Sequence, residues 1–262
     1  QKAVIRYVST NGNRVLTTDE VTGKSGEAIA YSTTSQINEF KKQGYKLVSD
    51  EFTAGGAKVY DYDTARDQVY TVTLSERVEP VNPDNPTPQP NTPVNPGQPD
   101  SPRWPGTVEN LDNKESVSRT IHYVYEDGSK AKDDVVETLQ FKRWSNVNLV
   151  TGHIDFQDWT TNDDTFDKVV SPTIAGYTAD KSEIPAVSGV QAKDQDRVET
   201  VTYRKDAQKA IIRYVSTNGN RVLTTDEVTG KSGEAIAYST TSQITEFKKQ
   251  GYNLVSDEFT AG

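Results

Sequence analysis

The 262 residues carry a formal net charge of -9, are 33% hydrophobic and contain no cysteine. Disulfides, thiol nucleophiles and cysteine-type zinc sites are therefore excluded together, and each core must be small and built largely from strands. Neither domain has a basic run able to displace counterions, and no segment approaches the roughly 18 apolar residues of a membrane span, so nucleic-acid binding and membrane insertion are not expected.

Residues 1-79 open with an apolar, β-branched run, Lys2 to Ser9, followed by Asn11-Gly12, a pair that favours a type I′ hairpin because both residues tolerate positive φ. Arg14 to Thr22 returns as the partner strand. Ser35 is placed to cap a short helix, Gln36 to Gln43, with Ile37 and Phe40 on its inner face and Gly44 at the left-handed position beyond it. Tyr45 to Phe52, Lys58 to Tyr62 and Val69 to Ser75 read as the remaining strands, giving a small α+β domain that is mostly β.

Residues 80-106 form a proline-rich linker that, with Glu79, holds ten of the twelve prolines. Nine of the ten fall into two registers spaced by three (Pro80, Pro83, Pro86; then Pro90, Pro93, Pro96, Pro99, Pro102, Pro105), the turn length of polyproline II. An extended rod of this kind would span on the order of 80 Å. The expected chain is thus elongated and monomeric.

Residues 107-206 repeat the landmarks of the first domain in diverged form. Tyr123-Val124 and Asp127-Gly128 stand where Tyr7-Val8 and Asn11-Gly12 do, Gly176-Tyr177 matches Gly44-Tyr45, and the closing strand around Val201 matches that around Val72. A polar insertion around 153-168 elaborates the second copy. This domain holds most of the acid, with 19 acidic and 12 basic residues against 11 and 10 in residues 1-79. Residues 207-262 then begin the first domain again: 208-262 repeat 1-55 with only Val4/Ile211, Asn38/Thr245 and Lys46/Asn253 differing. The chain reads as a window onto a tandem array with a 207-residue period, in which the last segment lacks the closing strands and should be the least stable part.

The YxxxxGxxV pattern, VTG, a helix ending in GY and a closing VTVTL strand resemble the MucBP (mucin-binding) module of surface adhesins from lactobacilli and related Gram-positive bacteria. LVTGHIDFQDWTTNDDTFDKVVSPTIAGYTAD with VETVTYRK resembles the B2 half of the Mub repeats of the same proteins. The resemblance implies tandem ubiquitin-like β-grasp domains in B1-B2-B1 order. It also implies an extracellular array anchored to the cell wall and adhesion to mucin glycoproteins, with immunoglobulins as further partners. The proline tract departs from the pattern, and a rod there would leave B1 and B2 without fixed packing.

A hydrolase needs a convergent acid, base or nucleophile, and the two histidines, His122 in a strand and His153 in a loop, offer no such set. An enzyme is not expected. Calcium needs several closely spaced oxygens, and two acidic loops offer them: Asp61, Asp63 and Asp67, and Asn162, Asp164 and Asp167. Either is a candidate for a structural ion, the alternative being a solvated acidic loop. A Lys-Asn isopeptide staple is disfavoured because neither closing strand, 69-77 nor 197-204, contains asparagine. For a glycan, aromatic faces beside amides and carboxylates are the expected grip, and Trp144, Trp159 and Tyr177 with Asn162, Asp163 and Asp164 are the richest such set. The competing readings are that both tryptophans anchor the core, and that the repeats are structural spacers in a stalk.

Overall fold

The computed structural model describes residues 1-98 and 100-259 and divides into two compact units, Gln1–Ser116 with Gln140–Asp163, and Val117–Leu139 with Asp164–Gly262. Pro99 of the proline registers, and the last three residues of the repeat, lie outside the described residues.

The first unit opens with β1 (Lys2–Ser9) and β2 (Val15–Thr22), paired antiparallel. Their turn places positive φ at Gly12 and Asn13, one residue later than the expected Asn11-Gly12 pair. Helix α1 (Thr34–Lys42) begins two residues before the expected start, after Thr33, and buries Ile37 and Phe40. Strand β3 (Tyr45–Asp50) pairs antiparallel with β4 (Gln68–Glu76), and β4 lies parallel to β1, giving the sheet order β2-β1-β4-β3.

The expected strand at Lys58 to Tyr62 shortens to an antiparallel bridge of Ala28 with Val59, flanked by hydrogen bonds from Gly26 to Tyr60, Tyr60 to Glu27 and Ile29 to Lys58. Gly55 and Gly56 at positive φ precede it, and backbone amides of Asp63 and Ala65 turn back onto the carboxylates of Asp61 and Asp63. Side-chain acceptors there compete with a strand ladder.

Alternating β1 residues Ala3, Ile5 and Tyr7 are fully buried against Val72, Leu74, Ile37, Phe40 and Phe52. At about 1.5–3 kcal/mol for each large apolar side chain, this face holds the module together. The Tyr7 hydroxyl is satisfied by that of Tyr31 at 2.9 Å, and Tyr31 in turn donates to Asp19. Burial, followed by those two hydrogen bonds, raises the Tyr31 pKa well above the usual phenol range.

Arg77 is the only residue between β4 and β5 (Val78–Val81). Its amide donates to the Gly44 carbonyl at 2.8 Å, and its own carbonyl accepts from Leu149 at 2.9 Å. Gly44 has φ +95, and an added β-carbon would lie 2.8 Å from that of Leu149. Both the turn and the close approach therefore require glycine. The B1 module is thus bonded directly to residues 140-163 of the B2 sequence, which belong to the same unit, so the expected boundary between the halves does not separate them there.

The extended proline rod is corrected. Residues 91-104 fold back on themselves, with hydrogen bonds from Asn91 to Trp104, Val94 to Pro102 and Trp104 to Thr92. Prolines lack a backbone donor, so the residues between them supply the pairing. Val94 and Trp104 pack with Val81, Val108, Val147 and Leu149 into a separate apolar cluster. That burial outweighs the polyproline preference of the tract.

Strands β6 (Lys114–Tyr125) and β7 (Lys130–Lys142) form a long hairpin. In the first unit β8 (Ser145–Asn148) pairs with both β5 and β9 (Ile154–Phe156), so Pro80 itself lies in a strand of a three-stranded sheet.

In the second unit, β10 (Val169–Val170) pairs with a short strand at Glu183–Ile184, which is β12. Between them β11 (Tyr177–Ala179) joins β13 (Arg197–Lys205), which lies parallel to β6. The order β11-β13-β6-β7 reproduces β3-β4-β1-β2 strand for strand. Its core is Ile121, Tyr123, Ile184, Val201 and Tyr203. Beneath it Arg119 is buried: Nε donates to Glu137 at 2.8 Å, Nη1 to the Pro185 carbonyl at 3.0 Å, and Nη2 to Glu137 and the Asp167 carbonyl. The guanidinium carbon lies 5.2 Å from the Phe166 ring centroid.

Asp206 repeats the role of Arg77 at the next boundary. Its amide donates to Gly176 and its carbonyl accepts from Ser232, each at 2.9 Å. The chain then forms β14 (Ala207–Ser216), β15 (Arg221–Lys231) and α2 (Thr241–Lys249). These make a two-stranded sheet and a helix with no buried residue. The tyrosine pair recurs, Tyr214 to Tyr238 at 2.8 Å, yet Ile211, Val215 and Leu254 are each about half exposed.

Candidate functional site

Trp144, Trp159, Asn162 and Asp163 fall in the first unit, at the end formed by β8, β9 and the folded proline tract. Arg143 organises this end. Its guanidinium carbon sits 4.0 Å from the Phe156 ring centroid and 4.3 Å from that of Trp159. Asp112 fixes the plane, accepting from Nε through its carbonyl at 2.8 Å and from Nη2 through its carboxylate at 2.9 Å. A planar cation between two rings is held by quadrupole attraction, and the ion pair prevents it from swinging out to water.

Trp144 is 43% exposed, and its carbonyl accepts from Gln157 at 2.9 Å, which fixes the backbone beneath the ring. Thr161 donates to the carbonyls of Gln140 and Asp163, and Asn162 and Asp163 stand on the exposed turn it braces. The stretch from Arg143 to Asp163 therefore supplies an accessible indole, a stacked guanidinium and exposed amide and carboxylate groups, chemistry that suits polyhydroxylated ligands.

Tyr177 and Asp164 belong to the second unit. Tyr177 packs on Tyr125 with ring centroids 4.7 Å apart, as part of that unit's core. Asp164 accepts from Thr165 at 3.0 Å through its carboxylate and from Val190 at 3.0 Å through its carbonyl.

The tryptophan that packs into an apolar cluster is Trp104, which sequence reasoning passed over inside the proline tract. Phe156, Arg143 and Asp112 were also missed. The only signal in the chain was Arg143 next to Trp144, which does not reveal a sandwich closed by residues thirteen and sixteen positions later.

The two acidic loops are tied into local structure. Asp61 and Asp63 accept backbone amides, Asp67 pairs with Lys2 at 2.9 Å, and the backbone of Asp167 bonds Glu137 and Arg119. Among the described residues no group of three histidine, aspartate or glutamate side chains is placed to hold a metal ion. His122 Nδ1 lies 2.9 Å from Asp134 with both side chains well exposed, and the His153 carbonyl accepts from Asn148.

A Muc B2-like domain model matches residues 108–207, and a mucin binding domain model matches 1–76 and 208–262. Among solved structures, the type 2 repeat of the mucus binding protein MUB from Lactobacillus reuteri is 28% identical. It aligns over 79% of this chain and 100% of its own, with a TM-score of 0.51. The Mub-RV crystal structure is 26% identical over 79% of this chain and 99% of its own, with a TM-score of 0.62. No curated protein sequence matches.

Proposed function

The chain belongs to the mucin-binding domain family, in the arrangement of a Mub repeat, and from that premise we propose that it is a bacterial surface adhesin repeat that binds mucin glycans weakly at each site. Repetition then supplies avidity, because each further contact forms within an already tethered complex. The observation that carries the reading is the recurrence of the mucin binding domain model at both ends of one chain. Each complete module reads as a β-grasp domain, supported by a mixed sheet whose central strands are parallel and, in B1, by a single helix. The array is read as extracellular and held at the cell wall.

The recognition face is the end that carries Trp144, Trp159, Asn162 and Asp163 around the Arg143 stack. A net charge of -9 opposes sulfated or sialylated chains at long range, and salt would screen that repulsion. Uncharged parts of the glycan are the favoured contact.

Trp144→Ala removes the exposed indole and is expected to lower the affinity for immobilised mucin about tenfold, near the lower end of the roughly 1–3 kcal/mol that stacking of a nucleic-acid base on one aromatic ring is worth. The thermal midpoint should hardly move, since the ring is largely outside the apolar clusters. Unchanged mucin binding would remove Trp144 from the face, and loss of folding would place it in the core.

A further inference from the structure

Beside the Arg143 stack, the start of the proline tract, residues 81-87, and residues 111-114 line a cleft of about 140 Å³ in the first unit. Val81, Pro83 and Leu111 give it apolar walls, and Asn82, Asn85 and Asn113 bring amides to it. Val81 and Pro83 are buried, whereas Asn85 lies on an exposed turn whose amide bonds the Asn82 carbonyl.

The amides are not equivalent. Asn82 Oδ1 already accepts from the Asp84 backbone at 2.8 Å. Asn113 Nδ2 donates to the buried Ser145 hydroxyl at 3.0 Å, while Asn113 Oδ1 is buried and has no hydrogen-bond partner. A buried acceptor without a donor is uncommon in a folded protein, and it marks a place where an incoming O–H or N–H is favoured.

The two charged side chains at the cleft differ in their pairing. Asp112 borders it but has its carboxylate held by Arg143, and Lys114 brings the opposite sign. Lys114, exposed at the rim, is the charge there outside an ion pair among the described residues, and it stands in a chain of net charge -9, so the amide and apolar lining suits an uncharged ligand with several donors. The volume is on the scale of one six-membered sugar ring. The three apolar side chains in the lining would further suit a ring substituent ending in a methyl group, as in an acetamido sugar.

We propose that this cleft, framed by Asn82, Asn85, Asn113 and the apolar trio, is a binding subsite for a single neutral N-acetylhexosamine residue. It rests on the adhesin reading and adds to it a second contact beside the exposed indole. A donor from the sugar reaches Asn113, and the acetamido methyl lies against Val81, Pro83 and Leu111. The start of the proline tract, residues 81-87, is then part of the binding module, where it faces residues 111-114.

The test is an amide-detected NMR titration of the full 262-residue chain with N-acetylgalactosamine, galactose and N-acetylneuraminate in turn. The expected result is saturable, millimolar shifts confined to residues 81-87 and 111-114, largest for N-acetylgalactosamine and absent for the anion. Asn85→Trp, on the exposed turn, should block the mouth and abolish the shifts without altering the fold. Asn113→Ala should weaken binding at least tenfold. Absent or scattered shifts, or shifts unchanged in the Asn85→Trp chain, would overturn the subsite. Sugar shifts without binding of intact mucin would keep the cleft and sink the adhesin reading; mucin binding without sugar shifts would do the reverse.

Discussion

Arg119→Ala is expected to destabilise the second unit by about 3–5 kcal/mol, enough to unfold a domain of ordinary stability. The Arg119 side chain is only 1% exposed, and its three nitrogens serve Glu137 and two backbone carbonyls. Truncation leaves the Glu137 carboxylate without its cation and the carbonyls of Asp167 and Pro185 without donors, besides opening a cavity against Phe166. Replacing both charges together, Arg119→Met with Glu137→Leu, should recover much of the loss, because no buried charge is then left alone. Amide exchange of residues 117-139 and 164-205 reads the effect in this unit alone. Equal destabilisation by the single and double variants would show that the guanidinium acts through its volume and its carbonyl bonds.

The second large effect uses the repeat as its own control. Ile5 and Ile212 occupy equivalent positions in nearly identical sequence, but Ile5 is fully buried between α1 and the four-stranded sheet, whereas Ile212 lies in a two-stranded one. Ile5→Ala is expected to cost about 2–5 kcal/mol. The same change at Ile212 should cost about 1 kcal/mol or less, since little tertiary packing is removed. In the 262-residue chain, amides of β14 should likewise exchange faster than their twins in β1, which lie between two strands. Equal costs at the two isoleucines, with equal exchange, would mean that the closing strand β4 contributes nothing to this core.

These pairs also separate what local pattern can reveal from what it cannot. The β1, β4 and α1 segments were legible because β-branched runs and the Ile37/Phe40 spacing are local signals that tertiary burial reinforces. Lys58 to Tyr62 carried a similar apolar pattern, yet two glycines before it and the turns at Asp61 and Asp63 after it confine its pairing to residues 58-60 against 26-29. The proline tract misled more seriously. Spacing by three is a property of neighbours, whereas the reversal at 91-104 is held by Val94 and Trp104 against Val147 and Leu149, more than forty residues further on.

The site shows the same division. Aromatic and amide content singles out Trp144, Trp159, Asn162 and Asp163, which fall in one unit, but Tyr177 is spent in the core of the other and Trp104 is the packed tryptophan. Arg119 sits in a strand as one more charged residue, and nothing in its sequence neighbourhood announces that three nitrogens will be buried. Partners at separations of 18, 48 and 66 residues decide it.

Multivalent adhesion is tested most directly by measuring the binding of chains with one, two and four copies of the 207-residue block to immobilised mucin at constant block concentration. Weak binding by one block, with apparent affinity rising by a factor on the order of 10² or more across the series, is the expected result. Binding that is absent at every length would contradict adhesion and leave the repeats as spacers. Binding that rises only in proportion to copy number would contradict the multivalent mechanism.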